Sequence, residues 1–299
     1  MAKHAAQPQF NLPTLSSMHG TRNVRHLSIG RVAASIVAIA ACGRSAQSPR
    51  AGHLELHSAH FAVISDGIDS GSVAALVAAL EANRSRIVAD LQTTSLGATR
   101  VVIQSKEAFE AEWGSTIRAS GIRFQVQGLT GPDGTIYIYG PWAAQNSGRS
   151  LQQVALHELA HAATRRSAID YVAAGGRDTV AYIASASDRD PRTRWLSETI
   201  AVYEARQSTD LNRYWYLIRG RYPSIADLND PAKSRVYEIG FRLAEFIRAQ
   251  WGADALVRLI RSDGDVQAAL GVSNEELMHR WFLHAEDRYL LIKPRWFGR

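Results

Sequence analysis

Residues 154–163 read Val-Ala-Leu-His-Glu-Leu-Ala-His-Ala-Ala, an apolar segment whose only polar side chains are His157, Glu158 and His161. Four residues advance an α-helix by about 400°, so the two histidines share one face about one turn apart. Their imidazoles can converge on one zinc ion, and Glu158 lies about 100° around the helix, where it can take a proton from a water molecule. Burying three polar groups is costly unless a partner satisfies them, so a metal site is favoured over a solvated helix.

A catalytic zinc ion needs a third protein ligand, and Glu198 is the best candidate. It is the one charged residue in 195–203, which read Trp-Leu-Ser-Glu-Thr-Ile-Ala-Val-Tyr. The alternative is a glutamate near a helix start, where the helix dipole favours negative charge. Glu204 is a rival ligand, although its neighbours are more polar.

The second half of the chain has the apolar spacing of helices. Gly252 stands where a helix stop belongs, and Ser273 with Glu276 forms a capping-box pattern. The predicted helices are 149–166, 194–207, 234–251, 253–262 and 273–290.

The first half alternates apolar and polar residues, as strands do. Ser105 can cap a helix that ends at Gly114. The order of elements predicts an α+β fold, with a mixed strand and helix lobe over 53–148 and a helical lobe over 149–292 that contains both motifs. The predicted front elements are one or two strands over 54–64, a helix over 72–91, and strands at 101–103 and 135–139.

The N-terminus is typical of a secretory leader. Three arginines precede the small apolar residues 32–41, which span about 15 Å as a helix, half of a bilayer core. We expect a signal peptide over 1–41, with Met18 as an alternative start, and a short tether over 42–52.

Cys42 ends an Ile-Ala-Ala-Cys segment that resembles the lipobox of bacterial lipoproteins. The resemblance implies a lipid anchor on Cys42 and a place in the bacterial cell envelope facing the periplasm. Gly43 follows the cysteine, which favours the outer membrane over the inner one. An ordinary cleaved signal is the alternative. Cys42 is the only cysteine, so an intrachain disulfide is excluded.

The net charge of +6 does not indicate a nucleic-acid partner. Residues 1–42 hold four basic residues and no acid, which leaves +2 for residues 43–299. The sequence also has no basic stripe with interleaved aromatic residues, so nucleic-acid binding is not expected. The oligomeric state is not predicted.

The two zinc motifs together resemble the gluzincins, a class of zinc metallopeptidases, and in particular the peptidase-MA-like proteins. The resemblance implies a zincin-like fold with an active-site helix between the two lobes. It also implies one Zn²⁺ per chain on His157, His161 and Glu198. Glu158 would be the general base for hydrolysis of a peptide or protein substrate.

Other roles rest on the same resemblance, except the lid, which is predicted from the length and composition of the segment between the two motifs. Tyr237, in a Tyr-x-x-Gly setting, would donate a hydrogen bond to the developing oxyanion, while a core tyrosine is the alternative. Thr199 stands where these proteins usually have glycine. Residues 167–193 could form a lid or specificity loop. In zincins an extended substrate pairs with an edge strand, for which we predict Thr135, Ile136, Tyr137, Ile138 and Tyr139, entered from a turn over 128–134.

Two other functions stay open. One is a non-catalytic assembly or binding lipoprotein of the envelope that keeps a metal site. The other is a zinc hydrolase that acts on a non-peptide amide. Glu158 favours an enzyme, because a purely structural metal site needs no general base.

Overall fold

The structure is a computed structural model, and it describes residues 53–122, 126–140, 149–176 and 191–292. The predicted leader, the lipid-attachment residue Cys42 and the tether lie outside the described residues, as do residues 177–190 of the predicted lid. Those interpretations therefore stay predictions. Residues 167–173 are an exception, because they continue the helix that was predicted to end at residue 166. Within the described residues, no helix is both long and apolar enough to cross a membrane.

A mixed five-stranded sheet forms in the first half of the chain, as its alternating pattern predicts. Alternate residues of the second strand are buried, so this strand presents one apolar face to the core. The spatial order is β1-β2-β3-β5-β4, in which β2, β3 and β5 run parallel and the two outer strands are antiparallel to their neighbours. The strands are β1 (His53–His57), β2 (Phe61–Asp66), β3 (Thr99–Gln104), β4 (Gly128–Thr130) and β5 (Ile136–Tyr139).

The prediction that Thr135–Tyr139 is the edge strand is wrong. Strand β5 covers Ile136–Tyr139 and is paired on both sides, in parallel with β3 and antiparallel with β4. The edge beside it is β4, which the sequence interpretation placed in a turn. A three-residue strand that begins with glycine has too little apolar alternation to predict a strand, and only its pairing with β5 defines it.

Helices dominate the rest of the chain, so the α+β prediction is confirmed. The helix with the two histidines, α3, begins at a capping box between Ser150 and Gln153. The helices are α1 (Ser70–Asp90), α2 (Lys106–Ala119), α3 (Leu151–Ala173), α4 (Arg194–Glu204), α5 (Trp215–Ile218), α6 (Ile225–Asn229), α7 (Arg235–Trp251), α8 (Ala255–Arg261), α9 (Val266–Leu270) and α10 (Asn274–Arg288).

Helix ends follow the predicted caps except at Gly114. Gly252 ends α7 with a φ of 96°, and the Ser105 hydroxyl accepts a hydrogen bond from the Ala108 amide at the start of α2. Helix α2 nevertheless runs through Gly114 to Ala119, so the predicted stop is wrong. Gly114 is buried beneath the Arg118 side chain of the same helix, and its low helix propensity, which costs about 1 kcal/mol, does not end the helix.

Helices α4 and α7 approach each other closely at Gly240. A Cβ at this position would lie 2.9 Å from Val202 Cγ2 and 3.3 Å from the Thr199 Cα atom, which belongs to the backbone and cannot yield easily. The absence of a side chain at Gly240 therefore lets these two helices pack at short range.

Replacing Gly240 with Ala should lower the free energy of unfolding by about 1–3 kcal/mol, because overpacking outweighs the gain in helix propensity. Gly114→Ala is the matched control, since its Cβ would meet only the flexible end of Arg118, at 3.2 Å. That variant should be neutral or more stable. Urea unfolding measures both, and a Gly240→Ala variant as stable as the control would contradict the close packing.

Candidate metal centre

Helix α3 brings His157 and His161 together, as their spacing predicts. Their rings meet edge to face, with centroids 4.7 Å apart, and their Nε2 atoms are 3.1 Å apart. Both side chains are buried. Two imidazole nitrogens thus point at one position inside the protein.

Glu198 reaches the same position from α4. Its Oε2 atom lies 3.1 Å from His157 Nε2 and 3.7 Å from His161 Nε2. The packing of α4 against α3 creates this contact between residues 41 positions apart. Among the described residues, these three side chains are the one group of histidine and acidic residues whose ligand atoms cluster closely enough to hold a metal ion.

The separations of the three ligand atoms fit a tetrahedral metal ion. Zinc–nitrogen and zinc–oxygen distances of about 2.0–2.1 Å place two tetrahedral ligand atoms about 3.3 Å apart. The observed separations of 3.1, 3.1 and 3.7 Å bracket this value. A small shift of the side chains would therefore suffice to hold one ion, although the distances do not identify the metal.

The protonation states also suit a metal site. Burial lowers the pKa of His157 to about 4, against the opposing effect of its hydrogen bond with Glu198, so the imidazole is neutral near pH 7. Burial alone would raise the pKa of Glu198, but hydrogen bonds with both histidines and the charge of Arg194 hold it well below its usual value. Neutral imidazoles and an ionised carboxylate are the forms that bind metals.

A contact with Ser197 orients the His161 ring. The Nδ1 atom of His161 and the Ser197 hydroxyl form a hydrogen bond of 2.9 Å. With Nδ1 held in this way, Nε2 is directed toward Glu198. The corresponding Nδ1 of His157 is buried and has no hydrogen-bond partner among the described residues.

Glu158 lies beside this group, between α3 and the edge strand β4. The residue is 4% exposed, and the Thr130 hydroxyl lies within hydrogen-bond distance of two of its oxygens, the carbonyl oxygen at 2.9 Å and Oε2 at 3.1 Å. A Cβ on Gly128 would lie 2.9 Å from Glu158 Cγ and Oε1, so glycine leaves the space that this side chain fills. Sequence reasoning missed both β4 residues, because nothing in their local pattern points to α3.

Tyr237 also reaches the site, but its hydroxyl contacts a proposed ligand. The phenol donates a hydrogen bond of 2.7 Å to Glu198 Oε1. Burial and the Glu198 charge raise the pKa of Tyr237 well above its usual value, so the phenol stays protonated as a donor. The predicted role of Tyr237 as an oxyanion donor is not tested by this contact.

Arg194 is a site residue that sequence reasoning missed. Its guanidinium is 3% exposed, and its Nη2 atom lies 3.6 Å from Glu198 Oε1. The sequence contained a sign of this contact, because an arginine four residues before a glutamate on the same helix can pair with it.

The rival carboxylate, Glu204, lies away from the histidines. It pairs with the Arg86 guanidinium, which also donates a hydrogen bond of 2.7 Å to the Glu204 carbonyl oxygen. Burial raises the pKa of Glu204 to about 7 despite that positive charge. Helix α4 therefore directs Glu198 toward α3 and Glu204 toward α1.

The other described histidines lie outside the group formed by His157, His161 and Glu198. Those of the first strands pair with nearby acids, namely His53 with Asp66, His57 with Glu55, and His60 with Glu81. His279 contacts the Tyr222 hydroxyl at 3.2 Å, and His284 packs against Phe246.

The group formed by His157, His161 and Glu198 lies in a cleft lined by both apolar and basic residues. His157, Glu158, His161, Glu198 and Tyr237 all line it. Its apolar wall includes Ile117, Ile122, Val126 and Leu129, and its polar lining includes Arg149, Arg194 and Gln207. His157, His161, Glu198 and Glu158 therefore line one common cleft.

Comparison of the chain with protein-family models and with curated proteins gave no match. The functional interpretation therefore depends on the geometry of the site.

Proposed function

We propose that this protein is a zinc-dependent peptidase, and the observation that carries the proposal is the juxtaposition of Glu158 with the cluster of His157, His161 and Glu198 in one cleft. Structural zinc sites are closed by four protein ligands, whereas catalytic sites use three and keep one position open. The described residues supply three ligands. This count and the neighbouring carboxylate favour catalysis over a structural role.

The metal ion and Glu158 would have different roles in catalysis. A zinc ion in this site would supply Lewis acidity, which polarises a substrate carbonyl and makes a water molecule nucleophilic near neutral pH. Glu158 would accept the proton of the attacking water and pass it to the leaving amine, as a general base that becomes a general acid. The Thr130 hydroxyl contacts both the Glu158 carbonyl oxygen and Oε2, which places the carboxylate beside β4.

The test is cleavage by the purified full-length chain. We expect about one zinc per chain by elemental analysis, and cleavage of a mixed peptide library detected by mass spectrometry. A chelator should abolish cleavage, and added Zn²⁺ should restore it. Bound zinc without cleavage of any peptide would overturn the proposal, and cleavage confined to non-peptide amides would replace it with the alternative hydrolase.

A further inference from the structure

We propose that Arg194 and Tyr237 are positioning residues that hold one oxygen of Glu198, so that only its other oxygen faces the histidines. This inference rests on the metal site of the proposed function. It assigns the Tyr237 hydroxyl to the ligand carboxylate, whereas the sequence resemblance assigned it to the substrate oxyanion.

The two oxygens of Glu198 have different partners. Oε1 accepts the 2.7 Å hydrogen bond from the Tyr237 hydroxyl and lies 3.6 Å from Arg194 Nη2. Oε2 lies 3.1 Å from His157 Nε2 and has neither of those contacts in the site described above. The contacts of Glu198 thus divide its two oxygens between the histidines on one side and Tyr237 with Arg194 on the other.

Arg194 is itself held in place. Its Nη1 atom donates a hydrogen bond of 3.1 Å to the Leu228 carbonyl oxygen of α6, and Nη2 donates one of 3.4 Å to the Tyr237 hydroxyl. Its guanidinium also lies over the Tyr237 ring, with the Cζ atom 5.6 Å from the centroid. Helix α7 therefore reaches Glu198 Oε1 through Tyr237, and α6 holds Arg194 beside it.

This arrangement favours single-oxygen coordination by Glu198. If both oxygens bound the metal, the second would compete for the position that a catalytic site keeps open for water. The hydrogen bond from Tyr237 and the nearby positive charge of Arg194 hold Oε1 away from the ion, disfavour that binding mode and keep Oε2 directed at the histidines. Partners that orient a metal ligand in this way typically contribute 10-fold to 100-fold in metal affinity.

The test measures metal binding without relying on activity. Tyr237→Phe removes only the hydroxyl, and we expect it to raise the Kd for Zn²⁺ about 10-fold to 100-fold in competition with a chromophoric chelator. The Tm of the metal-free protein should stay close to wild type. The visible bands of bound Co²⁺ should change, because they report coordination geometry. Arg194→Lys should weaken binding in the same direction.

Tyr216→Phe is the matched control, because the Tyr216 hydroxyl donates a hydrogen bond of 2.8 Å to Glu238, which is not part of the metal cluster. Its Kd for Zn²⁺ should equal that of the wild type. A Tyr237→Phe variant with wild-type Kd and Co²⁺ bands overturns the inference, and a fall in kcat alone would return Tyr237 to the oxyanion role.

The outcomes separate this inference from the proposed function. If the wild type binds zinc and Tyr237→Phe weakens that binding, the positioning role stands even where no peptide is cut. If the wild type binds no zinc, both proposals are overturned.

Discussion

Replacing Glu158 with Gln should abolish peptide cleavage and leave the zinc content unchanged. General acid–base catalysis contributes about 10²–10⁴-fold to a rate, so we expect kcat to fall by about 10³-fold or more. The amide keeps the size of the side chain and can still contact the Thr130 hydroxyl, but it cannot take a proton from water. The measurement is kcat with saturating peptide, together with the metal content of the same preparation.

Glu110→Gln provides the control for this change. Its side chain is 63% exposed on α2, so the variant loses the same negative charge outside the cleft and should keep wild-type kcat. If Glu158→Gln kept its metal and cut peptides within 10-fold of the wild-type rate, Glu158 would not be the general base.

Removing the metal should lower the Tm of the wild type strongly, because the three ligands join α3 to α4. At a free zinc concentration about 1000-fold above Kd, binding adds about 4 kcal/mol to the free energy of unfolding. For a protein of this size, that corresponds to a Tm difference of roughly 8–16 °C. His161→Ala removes one ligand, so its Tm should hardly respond to zinc. Thermal unfolding with and without chelator measures the difference.

The Glu204→Gln variant tests whether the zinc-dependent rise in Tm comes from binding at His157, His161 and Glu198. Glu204 shares helix α4 with Glu198 but contacts Arg86, so this variant should keep the zinc-dependent rise in Tm even if its overall stability changes. Equal zinc responses in the wild type and His161→Ala would show that the ion binds somewhere else.

The sequence predicted the pair of His157 and His161 because the pattern that brings them together lies within one helix. Two histidines four residues apart on a helix lie on the same face, so the convergence of their side chains follows from helix geometry. The same reasoning explains why the α+β order and most helix ends were predictable, since apolar periodicity and caps act over a few residues. Gly114 was the exception, because one glycine lowers helix stability by only about 1 kcal/mol and the helix continues through it to Ala119.

Local patterns favoured Glu198 over Glu204, but they could not place either carboxylate in space, and they did not identify the edge strand. Glu198 and Glu204 lie on the same helix, and only the packing of α4 against α3 and α1 determined which one meets the histidines. The edge position of β4 likewise depends on strand pairing between segments that carry no individual signal.

The sequence by itself therefore determined the histidine pair, its neighbouring glutamate and the α+β succession of the longer elements, whereas β4 and the short helices α5, α6 and α9 were not predicted. Tertiary structure alone decided the position of Glu198, the contacts of Arg194 and Tyr237 with it, and the strand that borders Glu158. The physical reason is range, because helix periodicity is encoded within a few residues, whereas contacts between distant side chains depend on how whole elements pack.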